Sequence, residues 1–252
     1  ILSGQIKSVQ DAAEQIPEEK DRDWGFSDVV TLWLTYGDLA GAQKTSALIH
    51  SSIKKSSTMT DIAEAKFKAG DIAGAKKAIT SALKSADLID KEPSTDKRFD
   101  SLLKSFILEN IVYIQANAGD IAGAHKTVGQ LSDIYPEQKC AAQIAIAEAQ
   151  IKAGDIAGGQ KTFIVALKTA DIIDYSAILK CNLQVQIAAA QIKVGDIANG
   201  LKTLFSAQET NNLIEEDYSI KCSELALIAK LLVNAGDIAG AKKTLLSAQG
   251  AA

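Results

Sequence analysis

The sequence predicts an all-α protein, an α-solenoid of antiparallel helix pairs. Three observations carry that expectation. A ten-residue phrase, AGDIAGAKKT at Ala235–Thr244, has five near-copies earlier in the 252 residues, six occurrences in all. Its Gly-Asp returns at Gly37, Gly70, Gly119, Gly154, Gly195 and Gly236, steps in the range of about 20 to 50 residues that marks units burying their apolar faces on one another. On both sides of it apolar residues recur every three or four positions, and strand alternation is absent.

The helices follow in chain order. Residues 1–20 read as a half repeat, because Leu2–Lys20 matches Ile121–Lys139 at a constant offset, with identities at Gly4, Lys7, Val9, Pro17, Glu18 and Lys20. Its apolar stripe is Ile6, Val9, Ala13 and Ile16. Full units follow around 21–55, 56–90, 98–135, 139–174, 178–214 and 219–252, making one domain, 1–252, of thirteen helices. In the first helix of a unit the stripe runs Cys140, Ile144, Ala147, Ile151, and again Cys181, Val185, Ala188, Ile192. In the second helix it runs Ile72, Ala75, Ile79, Ala82, Ala86. The polar stretch Lys91–Asp100 is a surface loop.

The repeated phrase is a joint. Glycine accepts a positive φ at the end of one helix without steric penalty. The Asp after it is placed to accept from the open N–H groups of the next helix, at the positive end of its dipole. The small residues beyond, Ala73, Gly74 and Ala75 and their equivalents, let the two helices approach closely.

The pattern resembles the tetratricopeptide repeat family. It has a small residue in the first helix (Ala63, Ala147, Ala188, Ala229), then Gly-Asp, then a small residue four after the Asp (Ala75, Ala124, Gly159, Gly200, Ala241). A larger apolar residue follows (Ile79, Val128, Phe163, Leu204, Leu245), then Ala82, Ala166, Ala207 and Ala248. Three intervals exceed that family's usual length of about 34 residues. The resemblance implies a right-handed superhelix, with a concave face lined by the first helices that binds a protein or peptide.

Composition narrows the function classes. Lys plus Arg number 27 against 31 Asp plus Glu, so no bulk attraction to nucleic acid is expected. No apolar run reaches the roughly 18 to 20 residues of a membrane span. The chain begins at Ile1 without Met, which leaves an exported or periplasmic location open. The unpaired cysteines favour a cytoplasmic one.

No nucleophile, metal or phosphate-loop motif stands in the sequence, so neither catalysis nor a cofactor is expected. Cys140, Cys181 and Cys222 follow the repeat period and read as small buried hydrophobes. His125 reads as helix surface. Two ladders remain. Lys44, Lys77, Lys126, Lys161, Lys202 and Lys243 stand six after each joint Asp and would meet an acidic partner. Gln115, Gln150 and Gln191 stand near the ends of first helices and are the candidate peptide-contact face. The expected function is a non-catalytic scaffold for another protein or peptide. The alternative is a structural subunit that meets itself head to tail, through Ile6 and Val9 at one end and Leu246 at the other.

Overall fold

A computed structural model describes residues 2–214 and 218–250, without the side chains of residues 2, 218 and 248–250. Ala248, the last position of the apolar motif, therefore lies outside the described side chains. The described residues form thirteen helices: α1 (Leu2–Glu14), α2 (Glu19–Thr35), α3 (Leu39–Ser46), α4 (Ser52–Lys68), α5 (Ile72–Ile89), α6 (Lys97–Asn117), α7 (Ile121–Val128), α8 (Pro136–Lys152), α9 (Ile156–Asp171), α10 (Ala177–Lys193), α11 (Ile197–Asn212), α12 (Tyr218–Asn234) and α13 (Ile238–Gly250). This is an all-α chain of α-solenoid type: one helix, then six antiparallel pairs. The helices gather into two compact units, 1–131 and 132–252, with three pairs in each. Among the described residues no helix is long and apolar enough to cross a membrane.

The joint works in two halves. All six glycines have φ between 76° and 91°. In each, the Asp N–H reaches back six residues in count to a carbonyl of the first helix, as Asp71 N to Lys66 O at 2.9 Å and Asp120 N to Gln115 O at 2.8 Å. The Gly N–H reaches the next carbonyl, as Gly70 N to Phe67 O at 3.0 Å. This is the Schellman pattern, and it satisfies carbonyls the helix end would leave open. The same Asp then caps the second helix: Asp38, Asp71, Asp120, Asp155 and Asp237 each accept from the N–H three residues on, at 2.8 to 3.0 Å.

That bond explains a glycine the sequence reading assigned to helix approach. A Cβ at Gly74 or Gly158 would sit 1.9 or 2.0 Å from its own capping carboxylate. The fifth joint, Gly195–Asp196, supplies the contrast. Asn199 stands where the others have Gly, Asp196 makes no cap bond to the backbone, and the Asn199 amide donates to its carboxylate instead at 3.0 Å. Close approach belongs to the next position, where a Cβ on Gly159 would lie 2.4 Å from Ile151 Cγ1 and 2.8 Å from Ala147 O. We expect Gly158→Ala to destabilise about as much as Asp155→Ala, roughly 0.5–2 kcal/mol in a urea melt. If Gly158→Ala is neutral, the carboxylate does not need that space.

First helices are buried on two sides, where the sequence shows one stripe. In α10, Cys181, Val185 and Ala188 pack with Leu204 and Ala207 of the pair's own α11. Leu183, Ile187 and Ala190 pack backwards on Phe163, Ala166 and Ala170 of α9. The second set is what stacks one pair on the last. In α12, Ile228 and Leu232 cover Leu204 in the same way.

The first helix departs from expectation. Helix α1 packs on α2, and Ile6 (4% exposed) and Ala13 are buried there. Gly25 makes room, since a Cβ on it would meet Ala13 Cβ at 3.1 Å and Ile16 Cδ1 at 3.2 Å. Ile6 is therefore core, which corrects its reading as an open assembly surface; of that pair only Val9 is exposed.

Candidate functional site

The glutamine ladder is inside the protein. Gln115, Gln150 and Gln191 are buried, and each accepts through Oε1 from a threonine of its partner helix: Thr127 at 2.9 Å, Thr162 at 2.7 Å and Thr203 at 2.8 Å. These threonines follow the ladder lysines in the repeated phrase. Trp33 holds the same register in the first pair and donates from Nε1 to Thr45 Oγ1 at 3.1 Å. The expectation of an open peptide-contact face is corrected: the three amides clamp the helix pairs just ahead of the joint. Adjacent lysines turn the other way. Lys44, Lys77, Lys126, Lys161, Lys202 and Lys243 are all exposed, and none forms an ion pair among the described residues.

The cysteine row is more than apolar filling. Fifteen residues before the joint Asp stand Asp23, Ser56, Ser105, Cys140, Cys181 and Cys222. Ser56 donates to Ala82 O at 2.8 Å, and Cys140 and Cys181 donate from Sγ to Ala166 O and Ala207 O at 3.3 and 3.4 Å. All three cysteines are thiols, the first two buried and Cys222 half-buried. Burial pushes Cys140 and Cys181 up to about 12. Below pH 9 both states keep these protons; above it the unfolded chain loses them first, so stability falls as pH rises toward 12. We expect that loss between pH 8 and 10.5, measured by urea melts, to shrink in Cys140→Ser/Cys181→Ser. An equal loss in both proteins would contradict the assignment.

Leu246 is exposed (58%), but so are Ile164 and Phe205 at the same place in α9 and α11. Its exposure is a property of that row. Leu245 differs. The equivalent Phe163 and Leu204 are fully buried under the next pair, whereas Leu245 is 48% exposed.

Exposed aromatic side chains gather elsewhere, along the first helices of the 1–131 unit. Helices α2, α4 and α6 lie side by side. Fourteen residues before their joint Asp they carry Trp24, Ser57 and Phe106, a small residue between two large ones. Helix α6 adds Phe99 and Tyr113, each seven residues from Phe106 and so on one face. All four aromatics are exposed, in a chain only 5% aromatic. The corresponding row of the 132–252 unit is Ala141, Asn182 and Ser223.

Between them lies a cavity of about 490 Å³, floored by Ile53, Ser57, Leu103 and Ile107 and walled by Trp24 and Phe106. A second of about 300 Å³ shares Asn110 with it and is lined by Thr60, Asp61, Glu64, Tyr113 and Ile114. Lys54 Nζ lies 2.8 Å from the centroid of the Trp24 ring, a cation–π contact. Burial lowers the Lys54 pKa, against the pull of Asp28. Loss of hydration raises that of Asp61, and the like charge of Glu64 adds to it. Glu64 accepts from Lys68 at 2.6 Å.

Sequence reasoning missed this groove. Its signal was present in the seven-residue spacing of Phe99, Phe106 and Tyr113. Among the described residues no three His, Cys, Asp or Glu side chains gather to hold a metal ion.

No protein-family model and no curated protein matches the chain. Among solved structures it is similar to the crystal structure of BtubC (BKLC) from P. vanneervenii, at 13% identity and a TM-score of 0.43 over 98% of this chain and 90% of that one. A likeness of that size does not bear on function.

Proposed function

We propose that the protein is a non-catalytic helical-repeat scaffold of tetratricopeptide type that holds a partner protein in the groove of its 1–131 unit. The observation that supports this is the Trp24–Ser57–Phe106 row. Exposed aromatic walls around an apolar floor are what a docked side chain fills, and Trp and Tyr are enriched among residues that dominate binding energy. A stable fold does not need four aromatics left in water. The test is a photo-crosslinking residue placed at Ser57 and, as control, at Ser223 in the same row of the other unit. Products formed from position 57 and lost with Phe106→Ala support docking. Equal products from both positions, or none, argue against it.

A second reading, self-assembly head to tail, is favoured by Leu245, whose row-mates are covered. Light scattering separates the two. A mass that grows with concentration and is held at one chain by Leu245→Asp supports assembly; one chain at all concentrations supports the scaffold alone.

A further inference from the structure

The groove has a charge pattern as well as a shape. Its smaller cavity is lined by two carboxylates, Asp61 and Glu64, and by no cation. Its larger one holds Lys20 and Lys54 with Asp96 and Asp100. Lys54 is stacked on Trp24, and Asp96 accepts from the Phe99 N–H at 2.9 Å. Asp61 and Asp100 take part in no ion pair among the described residues. Glu64 is already paired with Lys68 at 2.6 Å, so the uncompensated charge at the Tyr113 end is the Asp61 carboxylate, which stands beside an aromatic face.

We infer that the groove takes a basic, apolar segment of the partner protein. A bulky apolar side chain sits over Ser57 between Trp24 and Phe106. A Lys or Arg lies against Asp61 and Glu64, under the Tyr113 ring. The inference rests on the docking reading and adds the chemistry of what docks. Asp61, whose proton affinity burial and the neighbouring Glu64 charge raise, is relieved by a cation. Guanidinium or ammonium also matches the ring face of Tyr113, whereas an acidic segment or a nucleic acid would meet like charge. The length fits a short peptide. From Phe99 to Tyr113 the α6 ridge runs about 21 Å at 1.5 Å per residue, the span of about six or seven extended residues.

The test is selection from a random decapeptide library on the whole protein, followed by fluorescence anisotropy of the enriched peptides. The expected peptides pair a large apolar residue with Lys or Arg. Their affinity should fall at least about tenfold with Phe106→Ala and about tenfold with Asp61→Asn/Glu64→Gln. Replacing the peptide's basic residue should then add little to the latter. Ser57→Phe, which fills the trough rather than emptying it, should block binding as well, and circular dichroism reports whether each variant folds. Acidic peptides that depend on Phe106 would overturn the charge assignment and leave the docking reading standing. Peptides indifferent to both Phe106→Ala and Ser57→Phe would overturn the groove. Self-association abolished by Phe106→Ala would put a second copy there instead and overturn the foreign peptide. No enriched peptide at all would overturn the docking reading with it.

Discussion

Phe163→Ala should lower the unfolding free energy by about 3–5 kcal/mol, the range for emptying a fully buried aromatic site. Phe163 has no exposed surface and lies where one pair stacks on the next. It belongs to one core cluster with Cys140, Ala147 and Ala166 of its own pair and Leu183, Ile187 and Ala190 of α10. Its neighbours are short or held in helices, so the space left cannot close. Leu246→Ala, on an exposed position of α13, should stay within about 0.5 kcal/mol. Urea melts of the two side by side check the stacking: a loss under about 1.5 kcal/mol for Phe163→Ala would mean that the contact between pairs is loose.

Asp23→Ala should follow, at about 2–4 kcal/mol. Asp23 is 2% exposed in α2 and accepts from the backbone N–H groups of His50 at 3.0 and 3.2 Å and Ser51 at 2.6 Å. Those two residues lead into α4, so one pair supplies the polar partner for the entry of the next. Alanine leaves both part-buried donors without their acceptor. Asparagine keeps one oxygen and should lose about half as much. Equal stability of wild type and Asp23→Ala would show that water replaces the carboxylate.

What was legible in the sequence was whatever a few adjacent residues encode. Gly-Asp specifies a positive φ, a helix end and a helix start within two positions, so six joints and thirteen helices could be placed from the chain alone. The α1 stripe was found, but its cover was not, because Gly25 shows its purpose only when α1 lies on α2. The glutamine ladder misled for a related reason. A Gln and a Thr twelve residues apart look polar and free until the turn between them folds one onto the other. The second apolar stripe of α10 was hidden because a helix buried on two sides loses the contrast that periodicity detects. The groove needed one further step. Trp24, Ser57 and Phe106 share an offset from their joints, and that coincidence has meaning only once α2, α4 and α6 are known to lie side by side.

The groove can be tested most directly through its own tryptophan. Trp33 is buried and bonded to Thr45, so Trp24 is the indole open to solvent. A bound segment that seats a side chain against Trp24 should shift its emission to the blue and shield it from iodide quenching, and Trp24→Phe should remove both changes. Saturating binding with the emission and quenching of Trp24 unchanged would contradict docking in this groove.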